Sequence, residues 1–327
     1  MKKSIELTSK LLSDAGGGNI RLDKFLSTQL PDLSRTQIQK MITDGLVQVD
    51  ESPSKASMKL EGIKKISYIF PDLESEPTQI EPEAIELNIL FEDETVIAIN
   101  KPPGLVVHPG VGKPNGTLVN GLVHYFDQLS DLNGKLRPGI VHRLDVGTSG
   151  VILIAKNNTS HANLASQFEK RTIKKEYFGI TWGLWKESSG EINGAIKRKR
   201  TDPTIYQIDS SGREASTRYQ VLNQGDYISS VAFYPKTGRT HQIRVHSASM
   251  HHPIFGDNKY GGGSNKTKGF IPEVTKRLKN SLKQIERQAL HAKRITFIHP
   301  ETKKEIDIEA PIPTDIKNIQ DQIHGIC

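Results

Sequence analysis

Asp145 is the residue of this sequence best placed to do chemistry. It ends the tetrad His-Arg-Leu-Asp at residues 142–145, which lies between two extended apolar segments. This arrangement predicts that Asp145 lies on a loop at the end of a sheet, where a rigid scaffold can position functional groups. Because the neighbouring Arg143 favours the charged carboxylate, Asp145 could act as a nucleophile or as a base at neutral pH. The alternative is a structural aspartate that caps the turn at Gly147 or Thr148.

Two more segments carry groups that could act together with this aspartate. The sequence Lys-Lys-Glu-Tyr at residues 174–177 predicts that Tyr177 lies at the edge of a strand. A turn and a helix cap at Thr240 precede a helix on which Arg244 shares one face with His241, since residues three apart lie on the same side. Arg244 could therefore point at a single site, and a solvated or phosphate-binding arginine is the alternative.

The spacing of other conspicuous residues argues against metal and nucleotide-phosphate sites. The glycine-rich segment at 110–117 lacks the spacing of a dinucleotide-binding loop, and Pro114 stands where a P-loop needs Ser or Thr. His241 and His246 are five residues apart, whereas two metal ligands on one helix face are four apart. Cys327 is the only cysteine, which excludes an internal disulfide, a cysteine-based zinc site and a redox pair.

Charge is distributed unevenly along the 327 residues, whose net charge is +7. Residues 101–327 hold 33 basic and 20 acidic residues, which favours a polyanionic partner because phosphate neutralisation releases counterions. A basic soluble surface is the alternative. The longest purely apolar run has five residues, so we expect no membrane span, and the absence of a signal sequence predicts a cytoplasmic protein.

Residues 20–70 predict a small α+β domain, preceded by a loose tail over residues 1–19 that ends in three glycines. Apolar residues at three- and four-residue steps predict a first helix that ends at Pro31 and a second helix that Ser34 caps. These residues are Leu22, Phe25, Leu26 and Leu30 in the first helix, and Ile38, Met41 and Ile42 in the second. A short strand follows at Val47.

An acidic, proline-containing segment at 71–84 predicts a linker to a large domain at 85–315. In that domain the predicted strands include 91–100, 151–155 and 173–182, and the predicted helices include 160–170, 240–250 and 273–289. Strands and helices do not alternate as strict βαβ units. The pattern therefore predicts an α+β fold with a mixed, largely antiparallel sheet.

The small domain resembles the S4 RNA-binding domain. The resemblance rests on Arg-Leu-Asp-Lys-Phe-Leu at 21–26, Leu-Ser-Arg-Thr-Gln at 33–37 and Ile-Thr-Asp-Gly-Leu-Val-Gln-Val-Asp at 42–50. In that family the second helix presents basic residues to structured RNA. The resemblance therefore implies that Arg35 and Lys40 bind RNA, with Lys24 a weaker candidate, and the alternative is a solvated helix face.

The large domain resembles the RluA/RluD family of pseudouridine synthases. The matching blocks occur in order along the chain: Lys101-Pro-Pro-Gly-Leu-Val-Val-His-Pro, Arg137-Pro-Gly-Ile-Val-His-Arg-Leu-Asp-Val-Gly-Thr-Ser-Gly, Lys175-Glu-Tyr177, Gly238-Arg-Thr-His-Gln-Ile-Arg244, Gln288-Ala-Leu-His-Ala and Glu309-Ala-Pro-Ile-Pro. One departure is the pair at 146–147, which is polar or charged in many members of the family.

The resemblance implies conversion of uridine in RNA to pseudouridine without a cofactor or metal. It implies that Asp145 starts cleavage of the glycosidic bond, as nucleophile or as base, and that Arg244 pairs with it. It also implies that Tyr177 stacks on the uracil and that Arg143 assists base flipping by filling the space left in the RNA.

The resemblance also bears on the RNA substrate. S4-bearing relatives of this size imply 23S ribosomal RNA or the assembling large ribosomal subunit as the partner, and the block at 108–120 looks most like the member that acts on 23S rRNA. The alternatives are a tRNA pseudouridine synthase and a non-catalytic RNA-binding assembly factor. Retention of Asp145, Tyr177 and Arg244 argues against the non-catalytic alternative.

Overall fold

The chain folds into two compact units, Met1–Pro77 and Thr78–Cys327, each with its own hydrophobic core. The computed structural model describes residues 2–14, 17–31, 33, 35–69, 79–110, 113–134 and 136–324. Within these ranges, no helix combines the length and the hydrophobicity that a membrane span requires.

In the described part of the first unit, three helices accompany a four-stranded antiparallel sheet. The strands are β1 (Lys2–Glu6), β2 (Val47–Val49), β3 (Ser52–Pro53) and β4 (Lys65–Ile69), in the order β1-β4-β2-β3, and the helices are α1 (Ser9–Asp14), α2 (Leu22–Gln29) and α3 (Arg35–Thr43). The predicted apolar stripes of α2 and α3 are buried in one core together with Val47, Val49 and Ile66. Ser34, the predicted cap of α3, lies outside the described residues.

The prediction of a loose tail is wrong for residues 2–14. The strand β1 pairs antiparallel with β4 over its whole length, from Lys2 opposite Ile69 to Glu6 opposite Lys65. Ile5, Leu7, Leu11 and Leu12 pack against the core of the unit. The segment therefore pairs with the backbone groups along the free edge of β4 and adds apolar contacts to the core. The three glycines that follow it do not indicate this structure.

The predicted linker at 71–84 belongs in part to the second unit. Residues 70–78 lie outside the described residues, but residues 79–84 dock on the following fold. Asn120 donates its side-chain amide to the Glu81 carbonyl (2.8 Å), and the Glu83 carboxylate accepts from the Gly116 N–H (2.8 Å). The second unit therefore begins before residue 85.

Among the described residues of the second unit, nine strands form one mixed sheet and two form a separate hairpin. The strands are β5 (Ile89–Glu92), β6 (Val96–Lys101), β7 (Ser149–Ala155), β8 (Lys174–Trp182), β9 (Ser189–Asn193), β10 (Ile196–Arg198), β11 (Tyr206–Ile208), β12 (Ser216–Gln224), β13 (Ile228–Pro235), β14 (Leu290–Ile298) and β15 (Glu305–Glu309). The large sheet has the order β5-β6-β7-β14-β8-β13-β12-β9, and β15 pairs with the far end of β14. The described pair β7–β14 is parallel and the other pairs are antiparallel, which confirms the predicted fold class.

Five α-helices accompany this sheet in the described residues: α4 (Leu118–Tyr125), α5 (Asn158–Glu169), α6 (Gln242–Ser249), α7 (Pro272–Ile285) and α8 (Thr314–His324). The helix predicted over 273–289 ends at Ile285, because Glu286 adopts a left-handed conformation (φ 43°). The predicted boundary at residue 315 is also wrong, since Ile316 and Ile319 of α8 are fully buried in the same core as Leu278 of α7.

The order of the strands places Tyr177 differently from the prediction. Tyr177 lies in β8, which has β14 on one side and β13 on the other, so it belongs to the interior of the sheet. It packs against apolar residues of the two cores that flank this part of the sheet. A sequence shows that a segment is extended but does not show how many neighbours it pairs with.

Gly150 allows the loop before β7 to approach β14. Its φ is +110°, and a Cβ at this position would lie 2.1 Å from the carbonyl oxygen of Ala292. Since neither backbone can move without breaking the parallel pairing of β7 with β14, a side chain is excluded here. Gly150 therefore fixes where the tetrad loop leaves the sheet.

Candidate active site

The loop at 142–148 is held in place by side chains from distant parts of the chain. The Lys101 ammonium donates to the Val146 carbonyl (3.3 Å) and to the carbonyls of Pro102 (2.8 Å) and Leu105 (2.9 Å). On the other side, Arg287 donates to the Gly147 carbonyl (3.1 Å). These contacts clamp the two residues that follow Asp145.

The side chain of Lys101 is fully buried, which is rare for a lysine. Burial, together with the nearby Arg287 charge, lowers its pKa to about 7, while the charge of Asp145 opposes this shift. The carbonyls that surround the ammonium supply the hydrogen bonds that water would otherwise provide.

The helix α6 carries the cationic partner of Asp145. The predicted cap at Thr240 is wrong, because α6 begins at Gln242 and its N-cap is His241, in a left-handed conformation (φ 56°, ψ 19°). Gln242 fixes the start of the helix, since its amide accepts from the Thr237 hydroxyl (2.6 Å) and donates to the Ser216 carbonyl (2.9 Å).

Arg244 connects Asp145 to a second, deeper carboxylate. Its Nη1 donates to Oδ2 of Asp145 (3.1 Å), whereas Nε and Nη2 donate to Oδ2 and Oδ1 of Asp257 (2.6 and 2.9 Å). The side chains of Arg244, Asp257 and Asp145 are 8%, 1% and 17% exposed. Burial alone would lower the pKa of Arg244, but the hydrogen bonds and charge of Asp257, and then Asp145, raise it. The guanidinium is therefore a fixed cation.

His241 and Tyr260 complete the surroundings of this pair. Nε2 of His241 lies 3.8 Å from Oδ2 of Asp145, and its Nδ1 lies 2.7 Å from the hydroxyl of Tyr260. The Tyr260 hydroxyl accepts a hydrogen bond from the backbone N–H of Tyr206 in β11 (2.9 Å), and the Tyr260 ring lies 4.9 Å from the Arg244 guanidinium. Burial lowers the pKa of His241 to about 4 and raises that of Tyr260 to about 12, so both are neutral at neutral pH.

Asp145 opens into a cleft with about 490 Å³ of empty space, continuous with solvent. Tyr177 lines this cleft, and burial, followed by the charge of Asp145, raises the pKa of its hydroxyl, so the ring stays neutral. No described residue hydrogen-bonds to Oδ1 of Asp145, whereas both Arg244 and His241 approach Oδ2. The cleft lining further includes Arg143, Leu144, Thr148, Lys175, Arg239, Ile243 and Leu290.

Arg143 lies at the rim of this cleft. Its side chain is exposed, in contrast to the buried Leu144 that follows it. In the described part of the chain, no acceptor hydrogen-bonds to its guanidinium. It can therefore reach toward a bound molecule without first breaking an internal hydrogen bond.

Comparison with known proteins identifies the family. Residues 95–249 match RNA pseudouridylate synthase, and residues 20–62 match the S4 domain. An uncharacterized RNA pseudouridine synthase of Bacillus subtilis (strain 168) is 38% identical over 299 residues, covering 91% of this chain and 92% of the relative. This chain belongs to the RNA pseudouridine synthase family. Ribosomal large subunit pseudouridine synthase D of Escherichia coli O6:H1 is 36% identical, covering 97% of this chain and 94% of that protein.

Solved structures agree with the assignment to the pseudouridine synthases. Human RNA pseudouridylate synthase domain containing 4 aligns with a TM-score of 0.56 at 25% identity, over 72% of this chain and 93% of its own. The human domain-containing protein 1 aligns with a TM-score of 0.53 at 25% identity, over 70% and 84% of the two chains. The sequence-based expectations of the family and of the S4 domain are confirmed.

In the S4 unit of this synthase, the predicted RNA-binding residues differ in their surroundings. Lys24 and Lys40 are exposed on α2 and α3. Arg35 is half exposed, but its Nε and Nη2 donate to Oδ2 of the fully buried Asp23 (3.1 and 2.9 Å). Arg35 therefore has a structural contact in addition to any contact with RNA, and Gln39 donates to the same oxygen (2.7 Å).

Three residues of this pseudouridine synthase site were not predicted from the sequence: Lys101, Asp257 and Tyr260. Lys101 stands at the start of a matched family block, which was a signal that it is constrained. Asp257 and Tyr260 lie in an irregular segment around a short 3₁₀-helix, where no periodicity marks a buried residue. Among the described residues, no group of three His, Cys, Asp or Glu side chains could hold a metal ion.

Proposed function

We propose that this synthase converts specific uridines of 23S ribosomal RNA to pseudouridine, with Asp145 as the catalytic carboxylate. The observation that carries the proposal is the Asp145 carboxylate, which lines the cleft and meets the fixed Arg244 cation through Oδ2, while no described residue hydrogen-bonds to Oδ1. The large-subunit rRNA assignment is supported by the names of relatives that span nearly the whole chain, such as the Escherichia coli O6:H1 protein.

The reaction breaks the C1′–N1 bond of uridine and forms a C1′–C5 bond, so every step takes place on one nucleotide. The Asp145 carboxylate can attack the ribose or remove a proton from it, and the Arg244 guanidinium, 3.1 Å from Oδ2, holds the carboxylate in place for either step. Tyr177 offers a neutral aromatic face on which the detached uracil can stack while it turns. The C5 proton is then lost to solvent as N1 gains one.

The test of the proposed function is a survey of RNA substrates. The purified chain is incubated with unmodified transcripts of 23S rRNA, 16S rRNA and a tRNA set, and pseudouridines are mapped at nucleotide resolution. We expect product in 23S rRNA. Product confined to tRNA would replace the substrate assignment, and RNA binding without product in any transcript would overturn the enzymatic proposal.

Arg143 is proposed to assist base flipping. A paired target uridine must leave its stack to reach Asp145, and this step costs a few kcal/mol. We therefore expect Arg143→Ala to lower kcat/KM by about 10- to 100-fold on a target uridine within a helix. On the same uridine in a single-stranded oligonucleotide the loss is expected to be smaller than about threefold. An equal loss on both substrates would assign Arg143 to the chemical step instead.

The S4 unit is proposed to bind the RNA backbone through Arg35, with Lys40 and Lys24. We expect Arg35→Ala to weaken RNA binding and to make the slope of log K against log salt shallower by about 0.7–0.9, the contribution of one phosphate contact. The chemical step, measured as the single-turnover rate constant at saturating enzyme, is expected to stay unchanged.

Gln39→Ala is the matched control for this variant. It also removes a hydrogen bond to the buried Asp23, but it removes no positive charge. We expect it to leave the salt slope as in the wild type. If Arg35→Ala leaves affinity and salt slope unchanged, or if Gln39→Ala reproduces its effect, the role of Arg35 is confined to the fold of the unit.

A further inference from the structure

The proton of His241 can be located from its hydrogen-bond partners. The Tyr260 hydroxyl oxygen accepts from the Tyr206 N–H, and the hydroxyl has one hydrogen of its own to donate. Nδ1 of His241, 2.7 Å away, is the acceptor that the described residues offer to that hydrogen. Because Nδ1 accepts, the proton of the neutral ring lies on Nε2, the atom that faces Asp145.

The backbone of His241 is also unusual. The residue holds a left-handed conformation, which is uncommon for residues other than glycine and is adopted more often by Asn, Asp and His than by the other residues. Such conformations persist where surrounding contacts impose them, and they concentrate at functional sites. The Tyr206 and Tyr260 rings meet the imidazole edge-on at 5.4 and 5.5 Å and so restrict its rotation.

We propose that His241 is a positioning residue for the reaction: as a neutral donor fixed by Tyr260, it gives its Nε2–H to Oδ2 of Asp145 and so aims Oδ1 at the nucleotide. The inference rests on the proposed function. The 3.8 Å separation exceeds a hydrogen bond by a few tenths of an ångström, and such contacts commonly tighten when substrate binds. With Arg244 on the same oxygen, two donors from α6 and its cap then determine the rotation of the carboxylate.

Two amide variants separate this role from a structural one. In His241→Gln, the amide nitrogen can occupy the position of Nε2 and donate to Asp145, but no group replaces Nδ1. In His241→Asn, the amide oxygen can replace Nδ1 and accept from Tyr260, but nothing donates to Asp145. Asn also suits the left-handed backbone better than Gln. The stabler variant should therefore be His241→Asn, and the more active one should be His241→Gln.

The experiment measures kcat and KM under steady-state conditions, together with the thermal midpoint, for both variants. The substrate is the RNA that the wild-type enzyme modifies. We expect His241→Asn to lose about 10-fold or more in kcat with KM unchanged, the scale of one hydrogen bond to a charged group. We expect His241→Gln to keep kcat within about threefold of the wild type, despite a lower thermal midpoint. The inference would be overturned if the stabler variant, His241→Asn, were also the more active one. Equal losses of kcat in both variants would overturn it as well.

Tyr260→Phe provides an independent readout because it removes the hydroxyl that fixes the tautomer. We expect it to lower kcat, and we expect the double variant with His241→Asn to be no slower than His241→Asn alone. Additive losses would contradict the proposed coupling. The wild-type enzyme distinguishes the two levels of failure: without wild-type turnover the proposed function falls and this inference with it, whereas normal wild-type turnover confines any failure to His241.

Discussion

Asp145→Asn is expected to lower single-turnover pseudouridine formation by about 10⁴-fold or more, the scale found when a nucleophile or base is removed from an enzyme. The amide is neutral and nearly the same size as the carboxylate, so it can still accept the hydrogen bond of Arg244 through one oxygen. It cannot attack the ribose or take up a proton. We therefore expect RNA affinity and the thermal midpoint to remain close to those of the wild type.

Two further variants make this result interpretable. Asp145→Ala guards against an Asn that deamidates back to Asp, and it should be as inactive as Asp145→Asn. Asp127→Asn is the matched control, because Asp127 is exposed and does not line the cleft, and it should be fully active. Turnover of Asp145→Ala within 10-fold of the wild type would remove Asp145 from the mechanism.

The tetrad and the arginine could be predicted because local patterns mark them. The apolar run before and after the tetrad fixes Asp145 on a loop at a sheet end, and the periodicity of α6 places Arg244 on a defined face. The contact between Asp145 and Arg244, however, joins residues 99 positions apart and depends on the close approach of β7 and β14 at Gly150. No local pattern predicts that approach. The pairing of Asp145 with Arg244 was therefore predicted from the family resemblance and not from periodicity.

The parts that the sequence concealed share a physical cause: their role depends on partners far along the chain. Residues 2–6 are mostly polar, so no alternation of apolar residues predicts a strand there. They form one because the edge of β4 is free to pair with them. Tyr177 is interior because of the order in which strands assemble. Asp257 looks like a turn residue, and its burial follows from Arg244, which reaches it from another helix.

Asp257→Asn is expected to damage both the stability and the activity of the enzyme. The Arg244–Asp257 pair is almost completely buried, and removal of one charge from such a pair costs about 3–5 kcal/mol, because the remaining charge loses its compensation. Since Arg244 keeps Asp145 as a partner, we expect about 3 kcal/mol, or a thermal midpoint lower by roughly 6–12 °C for a unit of this size. Calorimetry of the full chain measures this shift.

The same substitution tests whether Arg244 must be held for Asp145 to work. With Asp257 neutral, the guanidinium is free to turn its other nitrogens toward Asp145, and a misplacement of about 1 Å in an active site can cost about 10²-fold in rate. We expect kcat to fall on that scale at a temperature where the variant is fully folded. Glu305→Gln is the matched control. It removes the negative charge from the exposed ion pair Lys174–Glu305, and such a pair contributes about 0–1 kcal/mol to the stability of the fold. If Asp257→Asn turned over like Glu305→Gln once folded, Asp257 would stabilise the fold without positioning Arg244, and the geometry of Asp145 would have to be set by the clamped loop alone.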